Sequence, residues 1–308
     1  MELFHQEAKI DFMKLRMAAT IFSVVISILS IVFLATKGLN FGLDFTGGTQ
    51  MELRYDKPVH FEKVREQLDE AGYPGAKVTQ YGSTRDILVK ISNRQKVSDQ
   101  ELGKQVVDAL KAHDPSIQLQ RVEFVGSEVG ERLAEQGGIA VLVALIATMF
   151  YIALRFEYRF GVSATVALLH DPIVILGIFS FFQIEFDLAT LAAILAVIGY
   201  SLNDTIVVFD RVRENFRKVR KGTPAEIMNA SINQTLSRTI MTSVLTLLVV
   251  VALYFFGGES LHGFSLALII GIVIGTYSSI FIAGALALAM GLSRQDLLII
   301  KKVQDETP

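Results

Sequence analysis

The sequence predicts an α-helical polytopic membrane protein with six transmembrane helices and one α+β domain outside the membrane. Of its 308 residues, 51% are hydrophobic and only 19% are charged, and the mean hydropathy is +0.45. A soluble protein of this length would be less apolar. Several apolar runs are each long enough to cross a hydrocarbon core of roughly 30 Å. Lysine and arginine are concentrated in alternate loops between these runs, which predicts the orientation of the spans.

The first apolar run, residues 17–36, carries no charge and is longer than the apolar region of a typical signal peptide. We therefore predict a retained membrane anchor that follows a cytoplasmic N-terminus at residues 1–16. Five further spans are predicted within residues 137–293, at 137–154, 160–182, 188–209, 239–258 and 263–293. At a rise of about 1.5 Å per residue each can cross the membrane, the last with tilt.

Basic residues distinguish the two sides of the membrane. The loop at residues 210–238 contains seven lysine or arginine residues, whereas the loops at 183–187 and 257–262 contain none. Basic loops remain on the cytoplasmic side. We therefore predict that both chain termini, including residues 294–308, are cytoplasmic, and that residues 37–136 form a periplasmic domain.

The segment at residues 37–136 alternates between strand-like and helix-like patterns. Its predicted strands are residues 49–55, 77–81, 86–91 and 118–125, and its predicted helices are residues 59–71 and a segment that begins with a capping box at Ser98 and continues through Leu110. This β-α-β-β-α-β order is typical of a ferredoxin-like sandwich of one sheet and two helices. Residues 128–136 are predicted to form a polar helical lead into the second span.

Composition and motifs argue against several classes of function. The chain has no cysteine, so disulfides and thiolate metal sites are excluded. A net charge of −2 gives no overall field that would favour nucleic acid. No zinc-protease, nucleophile-elbow or phosphate-loop motif is present, so we predict neither an enzyme nor a bound cofactor or metal.

Three ionisable residues fall inside the predicted spans: His170, Asp171 and Asp204. Such residues are costly in hydrocarbon and are functional candidates by default. His170 is predicted near the membrane midplane, where an imidazole beside a carboxylate can hold or pass a proton. The alternative is that His170 and Asp171 only hold helices together by polar contacts. The sequence leaves both interpretations open.

Asp204 lies in the cytoplasmic half of the fourth span, and helical spacing predicts that Tyr200, Ser201 and Val208 lie beside it. A carboxylate removed from water suits a group that must load and release protons. Arg238, at the start of the fifth span, is predicted at a similar depth. It either pairs with Asp204 or extends to the cytoplasmic surface. In the alternative for Asp204, an arginine simply neutralises it near a helix end.

Small residues indicate close helix contacts and a hinge. Gly199 and Ser201 in the fourth span, and Gly271 and Gly275 in the sixth, would let another helix approach closely. A glycine-rich segment follows the first span. It lacks the ending of a phosphate-binding loop, so we predict that it is a flexible hinge between membrane and domain. The hinge residues are Gly42, Asp44, Gly47 and Gly48.

Four stretches carry a resemblance to a known family: residues 42–48, Leu169-His170-Asp171, residues 198–205 continuing to 210–215, and residues 234–239. With the predicted topology, they show that the chain resembles the SecF family, the smaller subunits of bacterial SecDF protein-export complexes in the resistance–nodulation–division superfamily. The resemblance spans essentially the whole chain.

The resemblance implies a multi-pass protein of the bacterial inner membrane that pairs with SecD and needs no cofactor beyond a proton gradient. It implies that proton-motive force pulls preproteins from the SecYEG translocon into the periplasm, with YajC and YidC as further candidate partners. It matches Asp204 to the intramembrane carboxylate of the proton path and Arg238 to its partner, and it supports His170 and Asp171 less strongly. Two alternatives remain: half of a small-molecule exporter, or a non-transporting assembly factor of the translocon.

Overall fold

The computed structural model describes residues 10–91, 99–219 and 221–293, and its elements are numbered in chain order. The predicted capping residue Ser98, most of the predicted N-terminal segment and residues 294–308 lie outside the described residues. The helices are α1 (Arg16–Lys37), α2 (Leu43–Thr46), α3 (Phe61–Glu70), α4 (Asp99–Lys111), α5 (Ser127–Arg155), α6 (Tyr158–Phe182), α7 (Leu188–Lys218), α8 (Pro224–Phe256), α9 (His262–Tyr277) and α10 (Gly284–Ala289). The strands are β1 (Asn40–Phe41), β2 (Gly48–Arg54), β3 (Lys77–Gln80), β4 (Asp86–Ile91), β5 (Gln118–Val125) and β6 (Glu185–Phe186).

Six helical segments of the described chain are long and apolar enough to cross a membrane, which confirms the six predicted spans. They correspond to α1, α5, α6, α7, α8 and the continuous stretch from α9 to α10. Helices α6, α7 and α9–α10 form the centre of the bundle, because half or more of their apolar stretch is buried. Less than a fifth is buried in α1, α5 and α8, whose outer faces suit contact with lipid or another membrane chain.

Local sequence signals explain where α7 and α8 begin. Asp187 precedes α7 and accepts a hydrogen bond from the backbone N–H of Thr190 at 2.7 Å. Thr223 and Glu226 form a reciprocal capping box at the start of α8, with Pro224 in the first turn. Helix α7 continues to Lys218, so much of the basic loop predicted after the fourth span is a helical extension of that span.

The sixth span is not one regular helix. Helix α9 passes into a π-helical segment, Ser278–Ala283, which continues directly into α10. The wider turn places both Ser278 and Ser279 in the buried interior of the bundle. Such π segments often occur at functional sites. The sequence predicts a single uninterrupted span here and gives no sign of the change in helix geometry.

The domain between α1 and α5 has a four-stranded antiparallel sheet in the order β3-β4-β2-β5. The elements follow the predicted β-α-β-β-α-β order, with α3 after β2 and α4 after β4. The domain has its own apolar core, in which fully buried side chains of the sheet and both helices meet: Met51, Leu53, Val64, Leu68, Val89, Val106 and Leu110. The ferredoxin-like assignment stays a prediction.

Candidate functional site

The predicted pair His170 and Asp171 lies in the interior of the bundle on α6. His170 is 7% exposed and Asp171 is fully buried. The Nδ1 atom of His170 lies 3.0 Å from Oδ1 of Asp171, within hydrogen-bond distance. The other ring nitrogen, Nε2, is buried without a hydrogen-bond partner among the described residues.

Hydroxyl groups from two other helical segments converge on Asp171. Ser201 of α7 and Ser278 of the π segment both donate hydrogen bonds to Oδ2 of Asp171, the latter at 2.9 Å. The π segment makes a second contact with α7, because the hydroxyls of Thr205 and Ser279 lie 2.9 Å apart. Asp171 therefore joins the three central segments of the bundle through neutral hydrogen-bond donors.

Asp204 occupies a different environment on the same helix as Ser201. It is 3% exposed, and its Oδ2 atom has no hydrogen-bond partner among the described residues. Arg238 of α8 is the cation that acts on it electrostatically. Within the described structure, however, no ion pair of 4.0 Å or less joins Asp204 to Arg238. The two predicted partners thus lie near each other without forming a closed salt bridge.

Polar contacts bracket this site along the α7–α8 interface. On one side, Tyr200 donates a hydrogen bond to Ser243 at 3.2 Å, and Ser243 lies 2.8 Å from the hydroxyl of Thr276 on α9. On the other side, Asn215 donates to the hydroxyl of Ser231 at 2.8 Å. The structure therefore brings Asp204 together with Arg238, and Asp171 together with His170, in two polar clusters at neighbouring positions of α7, since Ser201, which bonds Asp171, lies three residues before Asp204.

The small residues differ in what they contact. A Cβ added to Gly271 would lie 2.2 Å from a methyl group of Val197, and one added to Gly275 would lie 3.1 Å from Cβ of Ser201. Helices α7 and α9 are therefore packed closely at both glycines. A Cβ added to Gly199 would meet no described atom within 4 Å, so the packing contact predicted there is not made within the described chain.

The predicted hinge residues make specific contacts with the bundle. The N–H of Gly42 donates to the carbonyl of Phe186 at 2.9 Å, beside the short parallel pairing of β1 with β6. Asp44 accepts a hydrogen bond from the backbone N–H of Leu188, the first residue of α7, at 2.9 Å. Gly47 has φ of +69°, and a Cβ there would lie 2.7 Å from the backbone of Ser127. The segment thus connects the domain to the start of the helix that carries Asp204, while its role as a hinge stays a prediction.

The domain contributes charged and titratable groups outside the membrane. Lys90 of β4 forms an ion pair with Glu185 of β6 at 2.7 Å, which is a second link between the domain and the loop before α7. Arg54 donates a hydrogen bond to Asp86 and lowers the pKa of that carboxyl below its usual value. Burial raises the pKa of Tyr55 to about 12. Its hydroxyl oxygen is enclosed without a hydrogen-bond partner among the described residues.

Several polar residues of the two clusters are absent from the predicted site: Thr205, Ser243, Thr276 and Ser278, which make hydrogen bonds there, and Thr239, which is buried without a hydrogen-bond partner among the described residues. Each is a small hydroxyl side chain within an apolar span, which the sequence alone does not distinguish from a packing residue. The one available sequence signal is the spacing of Tyr200 and Asp204 by one helical turn, which predicts that partners of Tyr200 lie on the same face as Asp204. Among the described residues, no group of three or more histidine or acidic side chains could hold a metal ion.

The fold and the buried polar clusters define a multi-pass helical membrane protein with ionisable side chains inside its bundle. A family model described as protein export membrane protein SecD/SecF, C-terminal, matches residues 105–293, and the SecD/SecF GG motif matches residues 32–59. The chain belongs to the SecF family of protein translocase subunits, which confirms the predicted resemblance.

Curated relatives match over nearly their whole length. Protein translocase subunit SecF of Vibrio alginolyticus is 51% identical and is matched over 96% of this chain and 95% of its own. The corresponding subunit of Pseudomonas aeruginosa is 50% identical, with 94% of each chain covered. That of Escherichia coli O157:H7 is 44% identical, with 99% of this chain and 95% of the relative covered.

Two solved structures have the same fold as this chain, each at 39% sequence identity. The crystal structure of SecDF, a translocon-associated membrane protein from Thermus thermophilus, matches 94% of this chain with a TM-score of 0.82 and 39% identity. A structure of SecDF in a super-membrane-facing form matches with a TM-score of 0.71 and the same identity. This chain covers only 39% of each of those longer chains.

Proposed function

We propose that this chain is a subunit of the Sec protein translocase of a bacterial inner membrane, and that it couples proton-motive force to preprotein export. Its membership of the SecF family supports the role in export. Because the chain covers only part of the SecDF structures, we infer that a SecD-type chain supplies the other half of the assembly. The SecYEG translocon and the emerging preprotein are the remaining partners, with YajC and YidC as candidates.

The observation that carries the proton-coupling proposal is the burial of Asp204 next to Arg238 without an ion pair between them. Asp204 is almost fully buried, and one of its carboxylate oxygens has no hydrogen-bond partner among the described residues. Arg238 lies near it without forming an ion pair with it. A carboxylate in this position has two accessible states. It can remain neutral when protonated, or it can close on Arg238 when ionised. Alternation between these states moves α7 against α8. Helix α7 begins at the contacts of Asp44 and Glu185, which supports transmission of that movement to the outer domain.

The proposed orientation places the domain in the periplasm and both chain termini in the cytoplasm, as the basic loops predict. Because the chain has no cysteine, single cysteines can be introduced and labelled one at a time. A cysteine replacing Lys104 in the domain should react with an impermeant thiol reagent added outside the cell, and one replacing Lys218 should not. The reverse labelling pattern would contradict the orientation.

The decisive experiment measures export of a secreted reporter at constant ATP, with and without a protonophore. We expect Asp204→Asn to remove the part of export that depends on the gradient, while the complex still copurifies with its partner. Asp210→Asn is the matched control: it is the same change on the same helix, at a partly exposed residue paired with Arg155 at 2.8 Å. Export by Asp204→Asn that still falls when the gradient collapses would instead favour a non-transporting assembly factor.

A further inference from the structure

The register of α7 against α8 identifies the side chain that lies opposite Asp204. The hydrogen bonds between these two antiparallel helices include Tyr200 to Ser243 at 3.2 Å, Arg211 to Gln234 at 2.8 Å, and Asn215 to both Ser231 and Gln234 at 2.8 Å. The residue numbers of these partners increase along α7 and decrease along α8, so the register is continuous from the first pair to the last. Each residue of α7 between the hydrogen-bonded pairs can therefore be matched to the residue of α8 that lies opposite it.

Asp204 and Thr239 occupy one level in this register. Asp204 lies four residues after Tyr200, and Thr239 lies four residues before Ser243, so each is one helical turn from the same hydrogen-bonded pair and on the same face. Thr239 is 2% exposed and Asp204 is 3% exposed. Thr239 also directly follows Arg238, the cation that acts on Asp204.

Both side chains have unused hydrogen-bonding capacity. Oδ2 of Asp204 and Oγ1 of Thr239 are buried, and neither has a partner among the described residues. A threonine within a helix commonly bonds a carbonyl three or four residues earlier. One turn away, Thr235 does so with the carbonyl of Ser231 at 3.1 Å. Thr239 departs from this pattern, and a buried hydroxyl without a partner is costly.

We propose that Thr239 is the positioning residue of the Asp204 site. When Asp204 is ionised, the hydroxyl of Thr239 donates a hydrogen bond to Oδ2, directly or through one water, and holds the carboxylate toward Arg238. When Asp204 is protonated, the same hydroxyl turns and accepts the carboxyl proton as a hydrogen bond. Thr239 keeps its own proton in both states. This role rests on the proposed function, in which Asp204 exchanges protons.

The charged and titratable surroundings of Asp204 are consistent with this role. From α8 the facing cation is Arg238. The nearby acidic residue on α6, Asp171, is turned toward Ser201 and Ser278 and has a histidine beside it. A neutral hydroxyl can therefore stabilise the ionised carboxylate without adding a charge that must itself be compensated within the bundle.

The test compares three variants in the complete complex, measuring the gradient-dependent part of reporter export. Thr239→Val keeps the shape of the side chain and removes the hydroxyl, and it should lower that part of export by about tenfold, as expected for one lost hydrogen bond to a charged group. Thr239→Ser keeps the hydroxyl and should retain most of the gradient-dependent export. Thr235→Val is the matched control, because that hydroxyl bonds its own helix, and it should export as the wild type does.

A pH profile separates positioning from a merely structural role. Thr239→Val should displace the external pH at which gradient-driven export is half-maximal by about one unit, and Thr235→Val should not displace it. If Thr239→Val does not assemble, the pair Thr239→Ala and Thr239→Ser decides by the same measurements. The proposal would be overturned if Thr239→Val had the export and the pH profile of the wild type. It would also be overturned if Thr239→Ser lost as much gradient-dependent export as Thr239→Val.

Asp204→Asn tests the underlying function in the same assay. If Asp204→Asn abolishes gradient-dependent export and Thr239→Val leaves it unchanged, Thr239 is not the positioning residue and the proton site stands. If Asp204→Asn retains gradient-dependent export, the proposed function fails and the role of Thr239 fails with it.

Discussion

Of the glycines of α9, Gly271 is the one where an added Cβ would lie nearest to α7, and alanine there should destabilise the bundle. A Cβ added to Gly271 would lie 2.2 Å and 2.7 Å from the two methyl carbons of Val197. Ordinary contacts are 3.4–4 Å, so the two helices would have to separate by more than 1 Å or Val197 would have to move. Val197 is fully buried and β-branched, which leaves it little freedom to adopt another rotamer.

The expected magnitude follows from two opposing terms. Overpacking of a buried site costs about 3 kcal/mol at the upper end of its usual range, which is appropriate for so short a contact. Replacement of glycine by alanine in a helix offsets this by about 1 kcal/mol. The net loss for Gly271→Ala is therefore about 2 kcal/mol, which corresponds to a fall of roughly 3 °C in the melting temperature of a chain of this length.

The assay is thermal stability in mild detergent, followed by size-exclusion chromatography of a fluorescent fusion after heating. Gly199→Ala is the matched control on α7, since a Cβ there meets no described atom within 4 Å, and it should melt at or slightly above the wild-type temperature. Val197→Ala removes the two clashing methyls, so adding it should recover about 2 kcal/mol of the Gly271→Ala loss in a double-mutant cycle. Equal melting temperatures for Gly271→Ala and Gly199→Ala would refute the reasoning.

Three further predictions concern the α+β domain and its links to the bundle. Because the folded pKa of Tyr55 is about 12, above the ordinary value of 10.0, its neutral form stabilises the fold below pH 10, and this contribution is lost as pH rises toward 12. The wild type should therefore lose about 2 kcal/mol more than Tyr55→Phe over that interval; parallel melting curves would contradict this. Asp44→Ala should cost about 1 kcal/mol by removing the acceptor at the N–H of Leu188, and Asp44→Asn should retain most of it in the same melting assay. Lys90→Glu should impair export, and the reversal with Glu185→Lys should restore it if their ion pair links the domain to α7; additive defects would exclude that link.

The lengths and periodicity of the apolar segments are sufficient to predict the six spans and the strand and helix order of this chain. Apolar runs of spanning length correspond to the six helices because the cost of exposing backbone polar groups to lipid leaves few alternatives. The strand and helix order of the α+β domain follows from local alternation and turn residues, and β4 and β5 begin and end as predicted. His170, Asp171 and Asp204 are identifiable because an ionisable group in an apolar run is costly wherever the helix packs.

The sequence does not determine which polar residues face each other, since that depends on the rotation and register of helices distant in the chain. The division of His170–Asp171 and Asp204–Arg238 between two clusters, and the approach of Ser278 to Asp171, appear only when α6, α7, α8 and the π segment pack together. The α7–α8 register that aligns Thr239 with Asp204 arises in the same way. Hydropathy and composition are local properties of a membrane sequence, whereas burial and the pairing of side chains across helices are properties of the packed bundle.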